Sequence, residues 1–242
     1  MDLEYLLEKE SIFWLIEDFF ILKICGNDAQ SYLNTQTSND VKSLLNNKGL
    51  DNNLLDRKGH LIAPFSLHKI DDYMIAISQE ITGNNLMRHL EKYHFTEDFY
   101  MENITNDYKL ISLQGYLSDD IIEKIFNLSL LKDENDICKL NQNYIIKKSL
   151  SYEDGYLLLV NKKEFSFILD NLKNLSYQAK KDEVEEIRIL SGIPLYNIDM
   201  DANNIISETG REKFSVSYTK GCYLGQEVVA RIKNLWNSTK ML

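Results

Sequence analysis

Cysteine and proline are both scarce in this chain of 242 residues, which has three cysteines and two prolines. Cys25, Cys138 and Cys222 are odd in number, lie far apart and include no Cys-x-x-Cys pair. That pattern fits a reducing cytoplasm better than a disulfide framework or a self-contained zinc or iron–sulfur site. With so few prolines and no Pro/Ser-rich linker, domain boundaries have to be inferred from residue patterns.

Basic charge and long apolar runs are also lacking. The chain has 37 acidic and 27 basic residues and a formal net charge of −10 at pH 7, so no basic surface is evident for direct contact with nucleic acid or anionic lipid. Glu17 and Asp18 interrupt the apolar run at 12–20, and we predict neither a signal peptide nor a membrane span. The four histidines show no ligand spacing and are interpreted as isolated surface residues, so no metal site is predicted.

What is present is a mixture of helix and strand patterns. Apolar residues at helical spacing predict helices, the second with Ser118 as its N-cap, over residues 84–94, 119–126, 164–174 and 184–190. Short apolar or alternating runs predict strands over residues 19–25, 61–69, 73–77, 109–113, 144–148 and 156–160. Since the chain has no strict βαβ rhythm and no Gly-x-Gly-x-x-Gly, the pattern indicates an α+β fold and not a nucleotide-binding doubly wound sheet.

The most distinctive stretch is the octapeptide Lys220-Gly221-Cys222-Tyr223-Leu224-Gly225-Gln226-Glu227. Two glycines in five positions indicate backbone at positive φ, or close approach of a ligand or another chain. A cation two residues from a cysteine favours the thiolate, which attacks electrophiles or binds metals. The residues alone leave a plainer interpretation open, in which Cys222 packs under a glycine turn and Lys220 is a solvated charge.

The octapeptide and the residues after it, Val228-Val229-Ala230-Arg231, resemble the signature of the YgfZ branch of the YgfZ/GcvT folate-binding family. Four other segments resemble that family in the same order along the chain, namely residues 25–41, 54–60, 111–115 and 188–194. Together the five segments extend over most of residues 20–232.

The resemblance implies two ferredoxin-like α+β units, one of them discontinuous in sequence. On that analogy the first unit gathers residues 1–46 and 147–235 and carries the octapeptide, the second spans 47–146, and 236–242 form a tail. Family members generally continue into a small β-barrel, whereas residues 232–242 are all that follow Arg231 here. We therefore expect the barrel to be absent or truncated, and any folate pocket to be shallower and wetter.

The resemblance also implies a function. It indicates a cytoplasmic protein that binds tetrahydrofolate or a related reduced folate and supports assembly or repair of iron–sulfur clusters in client proteins, including radical enzymes that modify tRNA. Its partners would be the folate and iron–sulfur proteins or their assembly factors. Cys222 would be the reactive thiol and Lys220 would assist it, although whether the protein catalyses a reaction is left open.

The same resemblance places the folate near the octapeptide. The residues implied to contact it are Gly221, Tyr223, Gly225, Gln226, Glu227 and Arg231. Tyr223 would stack on the pterin ring, and Arg231 would bind the carboxylates of the glutamate tail. The residues alone leave other interpretations open. Tyr223 could equally pack in the core, and Gln226 and Glu227 could simply begin a helix. Arg231 could equally form a surface ion pair.

Two other functions are carried as alternatives. The first is folate-dependent aminomethyl transfer of the glycine-cleavage type, a branch of the same family that depends on carboxylates facing the folate. One carboxylate is expected near Ala63-Pro64 and the other where this chain has Leu190, and neither acid is present. Since these side chains cannot accept a proton, the transferase is disfavoured. The second alternative is a non-catalytic interaction module.

Overall fold

The computed structural model describes residues 2–128 and 131–239, and for residues 235–239 it describes the backbone only. The helices are α1 (Leu3–Lys9), α2 (Ala29–Gln36), α3 (Glu80–Tyr93), α4 (Ser118–Phe126), α5 (Phe165–Leu175), α6 (Lys181–Leu190), α7 (Glu212–Ser215) and α8 (Gln226–Thr239). The strands are β1 (Ile12–Ile16), β2 (Phe20–Cys25), β3 (Gly49–Leu55), β4 (Leu61–Ile70), β5 (Tyr73–Ser78), β6 (Tyr100–Asn103), β7 (Tyr108–Gln114), β8 (Ile137–Leu140), β9 (Asn143–Lys147), β10 (Gly155–Asn161) and β11 (Tyr177–Gln178).

The chain divides into two units, each built on its own sheet. Unit 1 contains the chain up to Phe19 and residues Ile104–Pro194, and unit 2 contains residues Phe20–Asn103 and the chain from Leu195 onward. The predicted α+β class, with two units, is therefore confirmed. Within the described residues no helix is long and apolar enough to span a membrane.

Unit 1 has a six-stranded sheet in the order β11-β1-β7-β10-β9-β8. Side chains alternate between the two faces of a strand, so Phe13 packs in the core with α4 and α5, whereas Ile12 and Trp14 pack in the core with α1 and α6. β10 is buried along its whole length. A strand buried on both sides in this way is expected where helices cover both faces of a sheet.

Unit 2 has a five-stranded sheet in the order β3-β4-β5-β2-β6, with every neighbouring pair antiparallel. The sequence β2-α2-β4-β5-α3-β6 in that order is the split βαβ arrangement of a ferredoxin-like unit. α2 and α3 contribute to one apolar core of the unit. A second core joins Leu55 and Leu61 to apolar residues of the C-terminal segment, namely Tyr196, Met200, Ile206, Val216, Tyr223 and Val229.

The predicted helices and strands are confirmed to within a few residues at each end, but the N-cap of α4 is wrong. Ser118 is the first residue of the helix and its hydroxyl donates to the carbonyl of Asp154, whereas Leu117 occupies the cap position. The sequence patterns predict none of the shorter or edge elements β1, β3, β6, β8, β11 and α1. Such short segments are stabilised mainly by their partners.

The expected division of the chain differs from the observed one. Residues 1–46 do not stay together, because β2 pairs with β5 and β6 and so takes the chain into unit 2 at Phe20. Residues 47–146 do not stay together either, because β7 pairs with β1 and β10. Both units are therefore discontinuous. Of the expected tail at 236–242, residues 236–239 continue α8 and residues 240–242 lie outside the described residues.

Candidate functional site

The octapeptide lies in unit 2 and leads into α8, whose first two residues are Gln226 and Glu227. It contacts the end of α2 through Lys220 and the β3–β4 hairpin through Gly225. Segments that resemble the family far apart in sequence, 25–41, 54–60 and 220–227, are thus neighbours in this unit.

Lys220 is held where α2 ends. Its ammonium donates to three backbone carbonyls, those of Asn34 at 2.6 Å, Thr37 at 2.6 Å and Asn39 at 2.7 Å. The last carbonyls of a helix have no partner within the helix and carry partial negative charge, so a cation there is favourable. An ammonium has three N–H donors. All three are occupied, and none is left for the thiolate of Cys222.

The position of Lys220 has an electrostatic cost. Burial lowers the pKa of Lys220 to about 8, and the carboxylate of Asp40 opposes that shift. Its ammonium also lies 5.1 Å from the centre of the Tyr223 ring, within the range of a cation–π contact. The plainer interpretation of Lys220 as a solvated charge is therefore wrong. The expectation that it assists the Cys222 thiol stays a prediction, and its hydrogen bonds indicate a structural task.

A buried polar network fixes the chain that precedes the octapeptide. Ser38 donates its hydroxyl to the carbonyl of Ser215 at 2.7 Å, and the amide of Asn53 donates to the Ser215 hydroxyl at 2.8 Å. The Ser217 amide donates to the carbonyl of Ser38 at 3.0 Å. Ser38, Asn53 and Ser215 are fully buried. Buried hydrogen bonds of this kind are costly to break, so they hold the segment before Lys220 on the sheet.

Gly225 is required by the β3–β4 hairpin. Its φ is +84°, and a Cβ at this position would lie 2.4 Å from the carbonyl oxygen of Asp56 and 3.3 Å from Cα of Gly59. Only glycine adopts such a φ without strain and allows that approach. The expectation of positive φ and close approach is confirmed for Gly225, but the approaching group is the chain's own hairpin. At Gly221 a Cβ would meet nothing within 4 Å.

The hairpin itself is shaped by Asp56. Its carboxylate accepts from the backbone of Lys58 at 2.7 Å, the backbone of His60 at 2.9 Å and Nδ1 of His60 at 3.0 Å. Burial raises the pKa of Asp56, but these hydrogen bonds outweigh it and the pKa is lowered overall. An ionised Asp56 therefore keeps the turn in the form that fits under Gly225.

Cys222 is exposed and opens onto a pocket of about 530 Å³ within unit 2. The residues that line it are Thr35, Gln36, Arg57, His89, Tyr93, Cys222, Tyr223 and Leu224. The interpretation of Cys222 as a buried packing residue is therefore wrong. A solvent-accessible thiol at the rim of a pocket can react with a small molecule or with a partner protein.

Arg57 and His89 set the charge of this pocket. Arg57 is exposed, and its guanidinium has no hydrogen-bond or ion-pair partner among the described residues. Nε2 of His89 lies 3.1 Å from the side-chain oxygen of Gln36, which can only accept, so Nε2 carries the hydrogen. Burial, and then the nearby Lys92, lowers the pKa of His89. At neutral pH His89 is thus an uncharged imidazole with its lone pair on Nδ1.

Tyr223 is the second octapeptide residue in the pocket lining. Its side chain is 7% exposed and packs in the second core of unit 2. Its hydroxyl is buried and has no hydrogen-bond partner among the described residues. Burial, and then the carboxylate of Glu212, raises the pKa of Tyr223 to about 12. The hydroxyl is therefore neutral and able to donate a hydrogen bond.

The remaining predicted site residues lie apart from this pocket. Gln226 is half-buried, whereas Glu227 and Arg231 are exposed on the first turns of α8, and none of the three is among the described residues that line it. Arg57 and His89 were missed by sequence reasoning. Arg57 lies within the segment 54–60 that resembles the family, as an exposed cation beside a tight turn, and could have been singled out. His89 is brought to the pocket beside Cys222 by the fold alone.

The histidines differ from expectation as well. His68 is fully buried beside Ser66, so the interpretation as a surface residue is wrong for it, whereas the other three histidines are half-buried. Within residues 2–128 and 131–239 no three His, Cys, Asp or Glu side chains are grouped so that they could hold a metal ion.

Comparisons with known proteins identify relatives of this arrangement. The GCVT N-terminal domain family matches residues 16–214. The tRNA-modifying protein YgfZ of Hamiltonella defensa subsp. Acyrthosiphon pisum (strain 5AT) is 25% identical over 224 residues, which cover 90% of this chain and 64% of that protein. The chain thus spans 64% of the length of this curated relative.

A solved structure shares the fold. The crystal structure of glycine cleavage system aminomethyltransferase T from Bartonella henselae superposes with a TM-score of 0.79 at 13% sequence identity, and covers 94% of this chain and 64% of that one. At this identity the likeness concerns the fold and not the chemistry.

Gly225→Ala tests the contact between the octapeptide and the hairpin. We expect a loss of about 2–4 kcal/mol in the free energy of unfolding, because alanine is strained at this φ and its Cβ meets the Asp56 carbonyl. Urea denaturation followed by circular dichroism measures it. Gly221→Ala is the matched control and should change stability by less than about 0.5 kcal/mol. Equal effects at the two glycines would contradict the assignment.

Lys220→Met tests the ammonium at the end of α2. At neutral pH we expect a loss of about 1–3 kcal/mol, because three carbonyls lose their donors. The folded pKa of about 8 lies below the value of about 10.4 for an unfolded lysine. The native state therefore releases its proton first, and wild type should gain stability relative to the variant as pH rises between those values.

Urea unfolding of both proteins across that pH range measures the difference. Lys213→Met, at an exposed lysine of α7, is the control and should show no such dependence. A difference between wild type and Lys220→Met that stays flat or shrinks with rising pH would contradict the proposed burial of the charge.

Proposed function

Because the chain belongs to the GCVT N-terminal domain family, and resembles a tRNA-modifying YgfZ protein along 90% of its length, we propose that it is a folate-binding accessory protein that supports assembly or repair of iron–sulfur clusters. Cys222 is its reactive thiol. Its clients include cluster enzymes that modify tRNA, and it works in the cytoplasm, where free thiols such as Cys25, Cys138 and Cys222 persist.

One observation carries the thiol part of this proposal. Cys222 is exposed at a pocket that also presents a neutral imidazole, His89, and a guanidinium, Arg57, that has no partner in the part of the chain that the structure describes. A guanidinium stabilises a nearby thiolate, and a neutral imidazole can accept the thiol proton. In this proposal Arg57 and His89 assist the Cys222 thiol, the role that the sequence analysis predicts for Lys220. The thiol of Cys222 reacts with an iron–sulfur cluster, a sulfur carrier or a partner protein.

The residues also fit a reduced folate. The Tyr223 hydroxyl, which has no hydrogen-bond partner within residues 2–128 and 131–234, supports this fit. An unsatisfied buried hydroxyl costs about 1–3 kcal/mol, and a ligand that pairs with it recovers that free energy. A pterin ring offers such partners and a flat face for the Tyr223 ring. Arg57, or Arg231 on α8, would bind the glutamate carboxylates. Gln226 and Glu227 supply further polar groups. When bound, a reduced folate supplies a carrier for one-carbon units.

Aminomethyl transfer remains the disfavoured alternative. Ala63 is fully buried in β4, and Leu190 is 66% exposed at the end of α6. Neither side chain can accept a proton or a hydrogen bond. The pocket beside Cys222 instead offers a thiol and an imidazole, which suit nucleophilic or redox chemistry.

Calorimetric titration of the protein with tetrahydrofolate tests the cofactor. We expect saturable binding, and Tyr223→Phe should weaken it about tenfold while leaving the unfolding free energy unchanged or slightly higher, since an unpaired buried hydroxyl is removed. Tyr116→Phe, at a tyrosine that is 69% exposed in unit 1, is the control. No detectable affinity for any reduced folate would favour the interaction module.

Cys222→Ala tests the thiol in cells that lack the protein. The variant should fail to restore the activity of iron–sulfur enzymes, although it keeps its stability and its affinity for folate, because only the nucleophile is removed. Cys138→Ala, at a half-buried cysteine of β8, should restore activity fully. Full rescue by Cys222→Ala would sink the proposed role of the thiol.

A further inference from the structure

Unit 1 carries a second pocket, of about 430 Å³, at one end of its sheet. Three connections surround it, namely the 3₁₀ turn Thr105–Asp107 before β7, the turn between β8 and β9, and the turn between β10 and α5. We call it the lysine pocket. It involves neither Cys222 nor any residue proposed to bind folate.

The charge of the lysine pocket is opposite to that of the chain. Its lining includes Lys139, Lys162 and Lys163 against a single acid, Asp107, in a protein whose formal net charge is −10. Lys162 and Lys163 are exposed, and their ammonium groups have no partner among the described residues. Unpaired cations gathered around a concavity create a local positive potential, which attracts anions.

The backbone under these lysines is fixed before any ligand arrives. The Lys162 amide donates to the Asp107 carbonyl at 3.0 Å, and the Lys163 amide donates to the side-chain oxygen of Asn161 at 3.1 Å. Asn143 ties the same turn together, because it accepts from the Asn161 amide at 2.8 Å and donates to Glu164 at 2.8 Å. A preorganised turn lowers the entropic cost of binding.

The walls of the pocket suit a ligand larger than a simple ion. The rings of Tyr108 and Tyr144 are 5.8 Å apart and buried, and they form an aromatic side of the pocket. Asn106, Asn141 and Gln142 are exposed around it, and each carries an amide that both donates and accepts. Such groups match the hydroxyl, carbonyl and amine groups of a sugar or a nucleobase.

We propose that the lysine pocket binds an organic phosphate, with the phosphate between the ammonium groups and the polar body against the amides. Lysine ammonium groups commonly bind phosphate as compact point charges, and several of them can approach a tetrahedral dianion from different sides. The phosphate belongs to a free nucleotide or sugar phosphate, or to a terminal nucleotide of an RNA; the chemistry that recognises it is the same.

Titration of the full chain, followed by NMR or calorimetry, tests this site. The probes are inorganic phosphate, ribose 5-phosphate, adenosine 5′-monophosphate, adenosine, and a short RNA with and without a 5′-phosphate. We expect saturable binding of the phosphorylated compounds that weakens as ionic strength rises, and about tenfold weaker binding of adenosine. A preference for the RNA over the free nucleotide identifies the source of the phosphate.

Three variants locate the site. Lys162→Gln with Lys163→Gln should weaken phosphate binding about tenfold or more, and Asp107→Asn should tighten it about threefold by removing the opposing charge. The control, Lys173→Gln with Lys181→Gln, removes the same charge at exposed helical positions of unit 1 and should leave affinity within about twofold. Absence of saturable binding by every phosphate, or equal weakening by both double variants, would overturn the proposal.

Discussion

The ammonium of Lys220 bound to three carbonyls is the interaction on which the C-terminal segment of unit 2 depends. The end of a helix leaves carbonyls without partners, and here they are satisfied by a residue that is more than 180 positions away in sequence. These three hydrogen bonds fix the position of the first residue of the octapeptide. Since the ammonium has no further donor, the residues that follow can present other groups without competing for it.

The octapeptide is then fixed a second time, by Gly225 on the Asp56–Gly59 turn. Between the two attachment points lie only Gly221, Cys222, Tyr223 and Leu224. Tyr223 turns into the core, whereas Cys222 stays exposed. A thiol held between two rigid contacts is presented at a defined place without being packed, which is what a reactive group requires. Hydrogen bonds and a glycine contact therefore position Cys222, although neither touches it.

Much of the fold could be predicted because its signals are local. Helical spacing in α5 and α6 and the alternation in β4, β5 and β10 are properties of neighbouring residues. The division into units could not be predicted, because it depends on which strand pairs with β2 and β7. The same limit applies to the site. Cys222 and Tyr223 were found from a motif, but Arg57 and His89 reach the pocket through pairings between distant segments.

The octapeptide's composition has two separate physical causes. Lys220, Gly225 and Tyr223 have structural reasons that the fold itself supplies: three unpaired carbonyls, a positive φ under a close backbone, and a place in the core. Cys222 has no structural reason, since it is exposed, and at Gly221 no neighbour requires a glycine. A motif can thus identify a fold through residues that the fold requires, such as Lys220 and Gly225, while its chemistry lies in a residue that the fold does not require, such as Cys222. The proposed chemistry of the octapeptide therefore centres on Cys222, and Lys220 and Gly225 serve to position it.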